Sequence, residues 1–165
     1  MPNKRMQSDF FAGYAVKKAA DASRQVALDI IGSPPNLVIF DGVCNFCTKS
    51  VQFILRHESD SVIQFTPLQS TTGSRLMRQF GIDPSDAETF VFVSEGEVMI
   101  KSDAALALAK HLRGGWRFLR VFRYVPRPVR DWAYGIFARN RYRWFGRYDS
   151  CMVPSPEIRS RFIND

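Results

Sequence analysis

NLVIFDGVCNFCTKSVQFILRH, residues 36–57, is the stretch on which the reading of this chain turns. The mostly apolar NLVIF is stopped by Asp41-Gly42, which predicts a buried strand and its exit turn. From Asn45 onward, Phe46, Val51, Phe53, Ile54 and Leu55 fall close to one helical face, and residues 57–60 form a polar end. Cys44 and Cys47 therefore sit where a strand gives way to a helix, about one helical turn apart.

That position has chemical consequences. A cysteine in the first turn of a helix faces unpaired backbone N–H groups and the positive end of the helix dipole, both of which favour thiolate over thiol. Cys44 is then the nucleophile. Cys47, one turn further in, is near enough to attack a mixed disulfide at Cys44 and release the substrate. Asp41, three residues before Cys44, would hold or remove a proton when Cys47 has to become a thiolate; its plain alternative is a turn residue before Gly42. Two other readings of the pair stay open. Cys44, Cys47 and Cys151 with His57 or His111 would make a Cys3His zinc site, although no second C-x-x-C supports it, or the thiols are buried and inert. Cys151 is either a third redox partner or a small buried residue closing a C-terminal loop.

The pattern continues downstream. SVIQFTPL (61–68) alternates as a strand does, and STTGSRLMRQFGI (70–82) supplies a short helix with Gly81 near its C-terminal cap. AETFVFVSEGEVMIKSDAAL holds two strands, 89–94 and 97–101, around a tight turn at Glu95-Gly96. Ser102 or Asp103 is placed to cap the helix AALALAKHL. The order βαβαββα predicts an α/β fold, a mixed sheet flanked by helices. After it comes an Arg/aromatic-rich C-terminal segment, which Pro126 and Pro128 divide into helices over 116–124 and 128–141. Residues 1–35, closed by the breaker Gly32-Ser33-Pro34-Pro35, read as an N-terminal extension with one helix-forming stretch, and 36–165 as the domain.

Composition sets the outer bounds. A chain of 165 residues, 45% hydrophobic, suffices for one core and not for two ordinary domains. No apolar run approaches the roughly 20 residues that span a bilayer. The N-terminal stretch has no continuous apolar core followed by a cleavage site. Three cysteines are too few for a disulfide-stapled secreted domain. A cytoplasmic location follows as the expectation, with peripheral membrane contact as an addition to it. Within the net charge of +7, residues 113–147 hold ten Arg against one Asp, which leaves the rest of the chain at −2. The plain reading of that segment packs its aromatics onto the sheet and leaves its arginines solvated. Of the functional readings, an anionic membrane surface is kept as a partner, with Phe118, Leu119, Phe122 and Val125 inserted; nucleic acid, which would use the same arginines and aromatics, is not.

FDGVCNFC (40–47), followed in order by KSDAALALAKHL, VPRPVRDWAYGIFARNRYRWFG and Cys151, resembles the DCC family of thiol-disulfide oxidoreductases, named for the Asp and two Cys of D-x-x-C-x-x-C. The resemblance runs from about Leu37 to Phe162. It implies a thioredoxin-like fold and disulfide exchange with a protein or small-molecule thiol or disulfide. Asp41, Cys44 and Cys47 match the family's three named positions. The reading assigns no cofactor and no metal. Its alternative is a thioredoxin-shaped module that binds metal or does no chemistry, docked on an anionic membrane. Two departures from ordinary thioredoxins stand out: no Pro immediately precedes TFVFV (89–93), where they place a cis-proline lining the active site, the nearest being Pro84; and Asn45-Phe46 replaces their Gly-Pro between the cysteines.

Overall fold

A central strand covered on both faces organises the molecule. The computed structural model describes residues 36–85, 89–150 and 153–163; the extension 1–35 and Cys151 lie outside the described residues. The predicted order appears as β1 (Asn36–Phe40), α1 (Asn45–His57), β2 (Ile63–Pro67), α2 (Thr71–Gln79), β3 (Val91–Ser94), β4 (Glu97–Ile100) and α3 (Lys101–Leu108). A 3-10 helix (Gly114–Tyr124) and α4 (Arg127–Phe145) follow. The sheet runs β2-β1-β3-β4, with β1 parallel to β2 and antiparallel to β3, and β3 antiparallel to β4. This is the mixed, helix-flanked arrangement of a thioredoxin-like fold.

Alternation along β1 separates two cores. Val38 and Phe40 join Val51 and Ile54 of α1 and Ala104 and Leu108 of α3, whereas Leu37 and Ile39 join Leu76 and Met77 of α2. Burial on both faces is why β1 reads as a nearly continuous apolar run. Because β1 and β2 are parallel and in register from Asn36↔Ile63 to Phe40↔Pro67, their C-terminal ends emerge together. Asp41 and Gln69 are thus delivered to one edge of the sheet.

Local chemistry fixes several boundaries. Ser70 caps α2 by accepting from the Gly73 N–H at 2.9 Å. At the other end Gly81, at φ +70°, takes the left-handed conformation, with the Gly81 N–H donating to Arg78 O and the Ile82 N–H to Met77 O. The two-residue loop Glu95-Gly96 has positive φ at both positions, as a tight hairpin turn requires.

Three expectations are corrected. Helix α3 begins at Lys101 and has no side-chain cap, because Ser102 and Asp103 are used in tertiary contacts: Ser102 Oγ donates to Asp131 at 2.5 Å, and Asp103 pairs with Arg127 and Arg130. The segment before the prolines is a 3-10 helix, and none of its residues is buried, so its aromatics do not pack into the core. Helix α4 runs four residues past 141, to Phe145, where Gly146 at φ +81° ends it. Among the described residues no helix is long and apolar enough to cross a membrane.

Candidate active site

Cys44 is the N-cap of α1, and its sulfur accepts a hydrogen bond from the Cys47 N–H at 3.3 Å. The cap position arises locally: Asp41 O accepts from the Cys44 N–H, closing the turn, and Cys44 O accepts from the Thr48 N–H, opening the helix. The sulfur therefore occupies the place where a capping oxygen satisfies an orphan donor. Hydrogen bonding from Cys47 draws the Cys44 thiol down from 9.0 to about 6, against the opposing effect of burial, with the Arg141 charge assisting. Cys47 moves the other way, because its hydrogen bond to Cys44 and its burial both favour the protonated thiol. Proton and charge are thus divided unequally within the pair. Cys44 is the sulfur that favours the thiolate, and Cys47 the one that keeps its proton.

Burial runs opposite to that chemistry. Cys44 is 0% exposed, while Cys47 is only partly covered. A strap of backbone just after α4 pairs with the residues on either side of Cys44: the Asn45 N–H donates to Gly146 O at 3.4 Å, Cys44 bridges to Arg147, and the Tyr148 N–H donates to Val43 O at 2.8 Å. Cys47 lies instead on the wall of a cleft of about 250 Å³ between α1, α3 and α4, with Phe46, Phe53, Phe90 and Phe137 around it and Arg141 also in the lining.

Asp41 is nearly fully buried, and both of its oxygens are occupied. Oδ1 accepts from Gln69 Nε2 at 2.7 Å and from the Val43 N–H at 3.2 Å; Oδ2 accepts from Arg141 at 2.8 Å and from the Tyr142 hydroxyl. Gln69 in turn accepts from the Gly42 N–H, tying the motif loop to the end of β2. Burial opposes the charge of Arg141, but its hydrogen bond to Tyr142 and the neighbouring thiols outweigh that effect and hold it as a guanidinium. Tyr142, raised by burial and by its bond to Asp41, stays a hydroxyl donor. The carboxylate beside the cysteines is therefore one half of a buried ion pair.

Comparison with known proteins gives this motif a context. The model of the DCC1-like thiol-disulfide oxidoreductase family matches residues 38–147, from β1 through the strap. The chain belongs to that family. It is 47% identical over 130 residues to the uncharacterized protein YuxK of Bacillus subtilis, covering 79% of this chain and 95% of that one. It is 39% identical over 116 residues to a chloroplastic DCC family protein of Arabidopsis thaliana, covering 70% and 67% respectively. No solved structure matches the chain.

Membership in the DCC1-like family supports a redox function, and the structure adds residues that the motif does not name. Arg141, Tyr142 and Gln69 complete the surroundings of Asp41, and none was singled out in the sequence. A signal for Arg141 was present in the helical spacing of Tyr134, Ala138, Arg141 and Tyr142, which places the arginine on the inward face of α4. At the entry to β3, where thioredoxins carry their proline, Phe90 donates its N–H to the Tyr134 hydroxyl at 3.2 Å and accepts from the Lys101 N–H at 3.0 Å. Both backbone groups are used internally, so neither is free to pair with a substrate chain. His57 does not share a site with the cysteines. It ends α1, ten residues beyond Cys47, or about 15 Å along the helix axis, where it stacks on Phe53. A single zinc ion with bonds of about 2.0–2.3 Å cannot reach both.

Proposed function

We propose that the chain catalyses thiol-disulfide exchange through Cys44 and Cys47. The Cys44 thiolate attacks one sulfur of a substrate disulfide; the Cys44–substrate bond forms, the substrate S–S bond breaks, and the leaving thiolate takes a proton. Cys47 then gives up its proton and attacks Cys44 Sγ, forming the Cys44–Cys47 disulfide and releasing the second substrate thiol. An external thiol or dithiol restores the reduced pair by the same steps reversed. Asp41 serves as the proton-handling group for the second step, since it is the carboxylate whose charge acts on both thiols. The apolar cleft beside Cys47 suits substrates with an apolar group next to the reacting sulfur.

The observation that carries the reading is the Cys47 N–H to Cys44 Sγ hydrogen bond at the start of α1, the arrangement that stabilises a thiolate. Its test is the pH dependence of Cys44 alkylation, with thiols counted before and after mild oxidation. The expected midpoint lies near 6, with a Cys44–Cys47 disulfide forming under oxidant. A midpoint near 9 with no disulfide would overturn the proposal, as would stoichiometric zinc on the native protein.

Access to Cys44 requires the strap at 146–148 to lift. A Tyr148→Pro substitution removes the N–H that donates to Val43 O. It is expected to speed alkylation of Cys44 severalfold while leaving the pH midpoint in place. An unchanged rate would mean that reagents reach Cys44 by another route.

A further inference from the structure

We propose that the 3-10 helix Gly114–Tyr124 docks the protein on an anionic lipid surface, independently of the redox reading. Three residues per turn make side chains at i and i+3 eclipse, so GGWRFLRVFRY sorts into three rows. Trp116, Leu119 and Phe122 form one; the first packs edge-on against Phe53 at 4.8 Å and the second lines the cleft beside Cys47, which turns this row towards the body. Arg117, Arg120 and Arg123 form the second. Phe118, Val121 and Tyr124 form the third, and they are 76%, 60% and 90% exposed. The most exposed apolar row is thus Phe118-Val121-Tyr124; of the α-helical set Phe118, Leu119, Phe122 and Val125, Leu119 lines the cleft and Phe122 stays exposed beside this row.

The cations beside that row outnumber the carboxylates near them. Among the described residues, none of Arg117, Arg120 and Arg123 forms an ion pair, unlike Arg127, Arg130, Arg141 and Arg161. Arg120 and Arg123 converge with Lys110 and Arg130 on an open cleft of about 460 Å³, whose carboxylates are Glu97 and Asp103. Asp103 is already engaged by Arg127 and Arg130. A concavity with surplus cations therefore adjoins a row of exposed apolar side chains about 12 Å long. Lipid headgroups supply phosphates to the first and an acyl boundary to the second. The apolar exposure continues into α4 at Val129 and Trp132, neighbours at i and i+3.

Other occupants fit less well. Two copies meeting here would press arginine rows together on chains that each carry +7, and even with Val129 and Trp132 the five exposed side chains fall short of the roughly 800 Å² per partner of a stable interface. Nucleic acid would use the arginines and the rings of Phe118 and Tyr124, but Val121 between them offers no face for a base to stack on.

The test is sedimentation of the full chain with phosphatidylcholine vesicles, with and without phosphatidylglycerol, at low and high salt. Binding is expected only with phosphatidylglycerol, weakening as salt rises. R117Q/R120Q/R123Q is expected to lower the partition coefficient by about 100-fold. F118S/V121S/Y124S is expected to reduce binding at both salt concentrations without altering thermal unfolding, since all three positions are exposed. Absence of binding, equal binding by parent and variants, displacement from the vesicles by single-stranded nucleic acid, or dimerisation lost in the serine variant would each overturn the proposal.

Discussion

A Cys47→Ser variant is expected to stop after one step, accumulating a mixed disulfide between Cys44 and substrate, whereas Cys44→Ser is expected to form adducts severalfold more slowly. The asymmetry follows from how the pair shares one proton. With Cys44 near 6, its thiolate dominates at neutral pH; Cys47, held as the donor by its bond to Cys44 and by burial, does not. When Cys44 is replaced, the remaining thiol is at best an ordinary one, about 3% ionised at pH 7; that loss of thiolate outweighs the greater intrinsic nucleophilicity of a more basic sulfur, and attack slows by at least about threefold. Mass spectrometry of the protein after a single turnover reads both outcomes. Adducts on Cys47 in the Cys44→Ser protein at a comparable rate would reverse the assigned order, which the greater exposure of Cys47 makes the informative alternative.

The same division of the proton makes the stability of the reduced protein depend on pH. Cys44 is depressed in the folded state, so its contribution is fully present above the unfolded value near 9 and is lost as pH falls through about 6. Cys47 is raised, so its contribution is present below about 9 and is lost at more alkaline pH. Between pH 6 and 9 the unfolded chain binds more protons than the folded one, and reduced protein should gain stability as pH rises. The oxidised protein has neither thiol to titrate and should lack that slope, so chemical denaturation of the two forms across this window isolates the effect.

Features readable from the sequence were those set by neighbours along the chain. The apolar run of β1, the turn at Glu95-Gly96, the glycine ending α2 and the cysteine at the start of α1 each follow from a few adjacent residues. Features set by distant partners were not. Ser102 and Asp103 have the chemistry of helix caps, but Arg127, Arg130 and Asp131 of α4 claim their side chains. Whether 114–124 winds with 3.0 or 3.6 residues per turn changes which side chains face outward, yet over eleven residues the two periods predict similar apolar stripes. Gln69 reaches Asp41 only because of the parallel register of β1 and β2, which no short stretch of sequence specifies. Helical spacing places Arg141 on the inward face of α4 but does not specify what it meets there, a carboxylate one hundred residues earlier.

That arginine carries the other large expected effect. Arg141→Met leaves the Asp41 carboxyl without its cationic partner in a nearly dry site, with only Gln69, the Val43 N–H and Tyr142 around it, and breaking one side of a buried pair costs about 3–5 kcal/mol. The pair has side-chain exposures of 4% and 2%, so solvent screens little of this. The substitution should also raise the Cys44 midpoint, because the favourable charge is gone while the opposing one at Asp41 remains. Both effects should largely reverse in the Asp41→Asn/Arg141→Met double variant, where no charge is left unpaired and the two opposing influences on Cys44 disappear together. Denaturant unfolding and the alkylation midpoint, measured on parent, both single variants and the double variant, separate the contributions. If Arg141→Met unfolds with the parent, the pair contributes nothing to the fold. If it unfolds early but the Cys44 midpoint stays near 6, Arg141 braces α4 against the motif without tuning the thiol, and the depressed value rests on the Cys47 hydrogen bonds alone.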